Sequence, residues 1–452
     1  MKKQIKNLLA IFLLCTFLVV GGLSCGGSDQ PPAKVTLNYW RAWDDDAAIK
    51  PLIAAYQAAR PYVHINYRKL RYEEYEQALL EGWADNAGPD IFSIQNTWVN
   101  KYQARLLPIP KQIQVYFMTS TQSLGKTQLT VTKKPITPLT TDKLAKDFID
   151  VVPSDVVLGG QIYGLPLYVD NLALFYNKKL LANAQILTPP TTWDEFQEDV
   201  KKLTLVDDKG KFIQSGVALG TANNVPRSFD ILSMLMMQNG TTMIGAGGAS
   251  FNQPLPTDRT YLPGVSALQF YTDFANPGKK VYSWNNDMPD ALESFMAGKV
   301  AFFFGYAYQV PVILAQAPKL DFDIAYLPQI PQNNKVTYAN YWVETVWKRT
   351  KYPNEAWDFL QFITANSDRA KTYLDKTGRP AALKSLLPKQ AESTRLEVFA
   401  NQNPYAKSWY HGKDAIVAEN IFKDMINQAL LGELTYQQVI NNAVARINQT
   451  LQ

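Results

Sequence analysis

Cysteine and histidine are almost missing from this sequence. Cys15, Cys25, His64 and His411 are all there is in 452 residues. Two cysteines cannot build a disulfide framework or a Cys-based zinc site. A Ser-His-Asp or Cys-His nucleophilic centre would have to recruit one of the two histidines, and neither sits in a catalytic motif. Long runs of one charge are missing as well. No basic stripe with interleaved aromatics occurs, so nucleic acid is not an expected partner. The net charge of +5 falls to about +2 once Lys2, Lys3 and Lys6 of the leader are set aside. The one acidic run, Asp44-Asp45-Asp46, lacks the alternation, central glycine and distal glutamate of a calcium loop, so it reads as a solvated acidic turn. No metal and no cofactor is expected, and there is no internal repeat.

Apolar and aromatic residues are plentiful. The apolar fraction is 46%, enough for two hydrophobic cores in a chain of this length. The load of ten Trp and 24 Tyr is high, and such rings serve both cores and carbohydrate faces.

The N-terminus reads as an export signal over residues 1–24: a basic start, an apolar run from Leu8 to Val20, then Gly21-Gly22-Leu23-Ser24. The run is too short for a membrane span. Cys25 follows, with Gly26-Gly27-Ser28-Asp29-Gln30-Pro31-Pro32 behind it. This pattern resembles the bacterial lipoprotein signal, in which the cysteine is lipidated and becomes the mature N-terminus. Gly22 departs from it, because a branched aliphatic residue is usual three positions before the cysteine. The alternative is an ordinary signal peptide with an incidental cysteine. Residues 25–34 suit a flexible polar tether behind an anchor.

Periodicity organises the rest. Val35–Trp40 and Val63–Tyr67 alternate as strands, with a helix between them opened by Pro51 and stopped at Pro61. A helical stretch at 73–84 and a strand from Asp90 to Ile94 complete a strand–helix–strand–helix–strand opening, which calls for a parallel α/β sheet. Gln112 to Thr141 is rich in Thr, Lys and Gln with weak periodicity, and reads as an irregular surface insertion. Further strands are expected at Leu172–Asn177, Val300–Phe304 and Phe322–Leu327. Helices are expected at 225–238, 264–275, 354–374, 415–431 and 435–449, with capping boxes at Thr192/Glu195 and Thr435/Gln438.

Several short motifs in a fixed order carry a resemblance. Trp40 ends the first strand, and Gly88-Pro89-Asp90-Ile91 enters the third. Gly164-Leu165-Pro166 precedes Leu174-Phe175-Tyr176-Asn177-Lys178-Lys179-Leu180-Leu181, and Pro190-Thr191-Thr192-Trp193-Asp194-Glu195-Phe196 follows. Phe295-Met296-Ala297-Gly298-Lys299-Val300-Ala301, Ala356-Trp357-Asp358-Phe359-Leu360 and Gly378-Arg379-Pro380-Ala381 close the series. In this order they resemble the type 1 extracellular solute-binding proteins, the maltose-binding-protein-like family, over nearly all of the mature chain. The resemblance implies a periplasmic-binding-protein-like fold of two α/β lobes around a ligand cleft, joined by a hinge that the chain crosses three times. The crossings are expected near 168–172, 326–330 and 374–378. Lobe one would then hold 35–169 and 328–375, and lobe two 171–327 and 376–452. The implied function is capture of a sugar by cleft closure and delivery to the permease of an ABC importer. The protein would act as a monomer tethered by its N-terminal lipid to the outer face of the cell membrane.

Ligand residues are expected where strands end at the cleft. Trp40, Arg41 and Trp43 follow the first strand; Gln95, Asn96 and Trp98 follow the third. By the resemblance, Asp170 matches a sugar-binding carboxylate, Tyr306 and Tyr308 match an aromatic pair, and Trp409 with Tyr410 matches a late aromatic position. Trp342 stands where the family is commonly Gly-rich, and Arg379 lies in the Gly-Arg-Pro-Ala loop. Trp40 and Trp409, assigned to different lobes, would hold a sugar from two sides. Each residue has a plainer reading. An aromatic ring is more often core; Asp170 would cap backbone N–H groups at the hinge; Arg379 would pair with a carboxylate. Trp193 and Trp357 fall on helical faces and read as structural. The rivals to sugar capture are a sensor or adhesin on the same fold, a binder of a polyamine, peptide or phosphodiester, and a carbohydrate-active enzyme using Asp170 and Glu344 as its carboxylate pair.

Overall fold

The computed structural model describes residues 33–44, 46–123, 126–331 and 335–452. The leader, Cys25 and most of the tether lie outside them. In the first half of the chain the elements are β1 (Val35–Arg41), α1 (Asp46–Ala59), β2 (Val63–Lys69), α2 (Tyr72–Ala84), β3 (Ile91–Gln95), β4 (Ile113–Ser123), β5 (Lys126–Ile136), α3 (Val151–Val156), β6 (Gly164–Leu165), β7 (Asp170–Asn171) and β8 (Ala173–Asn177). There follow α4 (Trp193–Leu203), β9 (Leu205–Val206), β10 (Phe212–Val217), α5 (Ser228–Gln238), β11 (Val300–Gly305) and β12 (Phe322–Ala325). The last part carries β13 (Thr337–Asn340), β14 (Trp342–Val346), α6 (Pro353–Thr364), α7 (Ser367–Thr377), β15 (Ala406–Lys407), α8 (Ala415–Leu431) and α9 (Tyr436–Leu451).

Two five-stranded sheets define two lobes. Lobe one is built on the order β2-β1-β3-β14-β6, in which β1, β2 and β3 are parallel and β14 and β6 are added antiparallel. Its opening is the doubly wound pattern that the strand and helix periods require. Val35, Leu37, Tyr39 and Arg41 of β1 point into the core while Thr36 and Asn38 face out. Gly164 lets β6 close on β14, since a Cβ there would stand 2.4 Å from the Val343 side chain. Lobe two is built on β9-β10-β11-β8-β12, with β11 buried along all six residues. The capping boxes at Thr192/Glu195 and Thr435/Gln438 both form, satisfying backbone N–H groups that a helix start leaves unpaired.

A third, short sheet, β15-β13-β7, lies at the seam. The chain leaves the first sheet after Leu165, enters the second at Ala173, and returns from Ala325 to Trp342 through β13. Beyond Gly378 (φ +62) it stays beside lobe one for a few residues more, because Ala381 bridges Tyr168 and Leu383 bridges Phe148. Contact with lobe two is made at the helix over 397–402, where the Phe399 ring meets Phe175 of β8 with centroids 6.2 Å apart and the Phe399 carbonyl accepts from Asn171 Nδ2 of the seam at 2.9 Å.

The insertion at 112–141 is more regular than its composition suggests. β4 and β5 pair along eleven residues each, from Ile113↔Ile136 to Ser123↔Lys126. Ile113, Val115 and Val131 are buried at its base, Tyr116 packs edge-on against Tyr62, and the ribbon lies against α6. Its Thr residues are good strand formers, and its apolar alternation is confined to the base, which is why it reads as weak over the whole segment.

Candidate functional site

A cavity of about 230 Å³ lies between the lobes, lined by Trp43, Tyr72, Gln95, Tyr168, Arg227, Tyr308, Asn340, Trp342 and Arg379. Lobe one supplies its aromatic wall. Trp43, just past β1, stacks on Tyr72 with ring centroids 5.2 Å apart, and Trp342 meets both edge-on at 6.3 and 6.2 Å. Trp342 is held from behind by Tyr75 and Trp98. It faces Gln95 across the β14–β3 ladder, and Gln95 Nε2 donates to Asn340 Oδ1 at 3.3 Å. Lobe two supplies Tyr308 and Arg227. Tyr168 and Arg379 come from the seam, with the Arg379 guanidinium 4.2 Å above the Tyr168 ring.

Both arginines carry their own counter-ion. Arg227 grips Asp230 through two bonds of 2.7 Å, and Glu419 stands 3.5 Å away. Arg379 pairs with Asp44 at 3.1 Å. Asp44 also pairs with the buried Arg41 at 3.0 Å and accepts from Tyr373 at 2.7 Å. Burial works against its ionised form, yet Arg41 and Arg379 together hold its carboxyl below the usual range. Asp44 has φ +72, a left-handed conformation that costs free energy outside glycine and persists where surrounding contacts over-determine it. Those contacts set the turn that presents Trp43. Of the described residues of this turn, Asp44 is an ion-paired buried anchor, and Asp46 is solvated and meets Lys50 at the surface.

Five of the twelve expected ligand positions meet at this cavity: Trp43, Gln95, Tyr308, Trp342 and Arg379. The other seven do not. Trp40 points to the opposite face of β1, under Arg68 and against Gly82. Arg41 is consumed by Asp44 and by Glu344 at 3.1 Å. Trp98 is buried behind Trp342, and Asn96 donates to Asp155 at 2.9 Å. Tyr306 is fully buried with its hydroxyl on Asp230, although its ring stacks on Tyr308. Trp409 lies in the lobe-two core, stacked on Phe229 with its Nε1–H on Ser233. Asp170 accepts from the N–H groups of Asn171, Ala307 and Tyr308 at 2.9–3.1 Å, so it fastens the loop carrying Tyr308. Burial pushes its carboxyl up to about 6, against the opposing pull of those N–H bonds and Arg379. Glu344, the other half of the supposed carboxylate pair, is likewise buried, held by Tyr39 and Arg41, and neither carboxylate lines the cavity.

Tyr72, Tyr168, Arg227 and Asn340 line the cavity without having been singled out. Tyr72 and Tyr168 carried the same signal as Trp43, an aromatic just beyond a strand. Arg227 and Asn340 carried none, since a lone Arg or Asn before a helix or strand is an ordinary surface residue.

Among the described residues, no helix is long and apolar enough to cross a membrane, and no group of three or more His, Cys, Asp or Glu side chains could hold a metal ion.

The family model for bacterial extracellular solute-binding proteins matches residues 42–370. A diacetylchitobiose binding protein of Streptomyces coelicolor is 21% identical over 59% of this chain and 54% of its own length. A maltotriose-binding protein of Pyrococcus abyssi is 21% identical over 71% of this chain and 60% of its own. The chain thus spans little more than half the length of these curated relatives. Among solved structures, the cyclic alpha-maltosyl-1,6-maltose binding protein of Arthrobacter globiformis superposes with a TM-score of 0.72 at 21% identity, covering 93% of this chain and 99% of that one. The sugar-binding protein of Xanthomonas citri gives 0.69 at 17% identity, covering 92% and 97%. These likenesses show the two-lobed fold.

Proposed function

Since the chain belongs to the bacterial extracellular solute-binding protein family, we propose that it captures a neutral sugar or oligosaccharide between its lobes and delivers it to the permease of an ABC importer. One observation carries this reading: the interlobe cavity combines an aromatic wall from Trp43, Tyr72 and Trp342 with hydrogen-bonding edges from Gln95, Asn340, Arg227 and Arg379. Rings take the C–H faces of a sugar, while amides and guanidinium forks take its hydroxyls. Each arginine is already ion-paired, so the wall offers directed donors with little uncompensated positive charge, which suits hydroxyls better than phosphate or carboxylate. The relatives named for diacetylchitobiose and maltotriose support the same ligand class.

Wall residues come from both lobes, so a bound solute stabilises the closed arrangement by the contacts it makes only there. Asp170 and Tyr306 serve this site indirectly, the first by fastening the Tyr308 loop and the second by backing its ring. The export signal over 1–24 and lipidation at Cys25 complete the reading, which places a monomer on the outer face of the membrane beside its permease. In membrane fractionation, Cys25→Ala is expected to release the protein; unchanged fractionation overturns the anchor.

The test of the ligand class is a thermal-shift screen with maltose, maltotriose, diacetylchitobiose, galacto-oligosaccharides, polyamines, peptides and sugar phosphates. A solute present at 100-fold over its Kd stabilises by about 2.7 kcal/mol. A shift confined to neutral sugars supports the proposal, and a shift confined to the charged solutes overturns it.

A further inference from the structure

Away from the cavity, one buried carboxylate joins the two lobes. Asp155 sits in α3 of lobe one with its side chain fully buried. Its two oxygens are divided between the lobes. Oδ2 accepts from Asn96 Nδ2 at 2.9 Å and from the Tyr341 hydroxyl at 2.6 Å, both on the lobe-one side of the seam. Oδ1 accepts from the Ser408 hydroxyl and has His411 Nε2 3.8 Å away. One helical turn from Asn96, Asn100 Nδ2 donates to the His411 carbonyl, so a second lobe-one side chain grips the same segment.

Residues 408–411 are anchored in lobe two. Trp409 is stacked on Phe229 and packs at a tilt against Phe422 with its Nε1–H on Ser233, and the Tyr410 hydroxyl donates to the Thr450 carbonyl and accepts from the Asp414 N–H. The two inward rings fix the segment to one lobe while the flanking polar residues reach the other. Asp155, Asn100, Ser408 and His411 do not line the cavity.

We infer that Asp155 is an interlobe clasp, a positioning residue that sets the balance between open and closed cleft without touching the solute. Opening the lobes separates Oδ1 from Ser408 and His411, and closing them restores the contact. Asn96 couples the clasp to the site, because its neighbour Gln95 lines the cavity and its own amide is held by Asp155. A buried carboxylate with donors on one side only is poorly satisfied, so the clasp adds to closure and is lost with it. Apparent affinity scales with the population of the closed state, so weakening the clasp weakens binding in proportion. The inference rests on the proposed function only in taking the cleft to open and close.

The test uses the full chain with Ser408→Ala, Ser408→Thr and Asp155→Asn. Ser408 is only half-buried, so its alanine variant is expected to melt with the parent, whereas Asp155→Asn also disturbs Asn96 and Tyr341. Small-angle scattering of the unliganded protein is expected to show a larger radius of gyration for Ser408→Ala and Asp155→Asn, and the parental value for Ser408→Thr, which keeps the hydroxyl. Titration with maltotriose is expected to show Kd raised roughly 3- to 30-fold by the first two variants, at unchanged stoichiometry. Unchanged scattering and unchanged Kd in both variants overturn the clasp. If maltotriose does not bind the parent protein, the scattering comparison alone decides the clasp, and the ligand class is decided separately by the thermal-shift screen.

Discussion

Trp43 and Trp409 are the same side chain in two settings. Trp43 is 41% exposed on the cavity wall, with one face on Tyr72 and no hydrogen bond needed for its wet edge. Trp409 is 4% exposed in lobe two, packed by Phe229, Phe251 and Phe422, and its Nε1–H is bonded to Ser233. Both lie near the cleft in chain order. The contrast shows that a ring's role here follows from whether its faces and its polar edge are covered, and that covering is a property of the lobe around it.

The comparison breaks most visibly at Trp409. Trp409→Ala is expected to cost about 3–5 kcal/mol of stability, measured by urea unfolding, because it opens a cavity and leaves Ser233 without its partner. A cost within about 1 kcal/mol would mean that the ring is not core. Trp43→Ala is expected to do the reverse. It should leave the melting temperature within a few degrees and weaken binding of the best sugar from the screen by about 1–3 kcal/mol, or 5- to 150-fold by calorimetry. Unchanged affinity would remove Trp43 from the site.

A smaller effect tests the loop behind Tyr308. The Asp170 carboxyl titrates at about 6 when folded, above the value near 4 of an unfolded chain. The folded state therefore holds a proton that the unfolded state releases between those values. This group's stability contribution is present at low pH and is lost as pH rises through about 6. Relative to Asp170→Asn, the parent protein should gain roughly 1–2 kcal/mol in urea unfolding between pH 7 and pH 4.5. No pH dependence in the difference would place Asp170 in a wetter setting. The smallest effect belongs to the outer half of the β4–β5 ribbon, where Thr119–Gln122 and Leu129–Thr130 are exposed. Shortening the ribbon by those pairs should change stability by about 0.5 kcal/mol or less in the same assay. A large loss would show that the outer ribbon packs on the body of lobe one.

The parallel opening of lobe one, the buried strand β11 and both capping boxes were legible because period, turn residues and caps are local signals. Trp193 and Trp357 were legible for the same reason, as rings on apolar helix faces; Trp357 is fully buried, and Trp193 donates to Gln238 at 2.7 Å. At the site, a rule that collects residues just past strand ends finds Trp43, Gln95 and Tyr308, and it equally collects Trp40, Asn96 and Trp98, which turn away. Arg41 and Asp44 could not be sorted, because their partners Glu344 and Arg379 come from about 300 residues further along the chain.

The sequence by itself determined a parallel α/β opening, apolar content enough for two cores and a high load of Trp and Tyr, since alternation, helical period and composition act over a few residues; the two lobes followed from the order of motifs that resembles the family. Only the tertiary structure decided which rings face the cleft, which carboxylates are spent on arginines, and that Asp155 ties one lobe to the other. Those outcomes depend on side chains brought together across the seam from distant parts of the chain, and burial and pairing are set by such neighbours and not by position in the sequence.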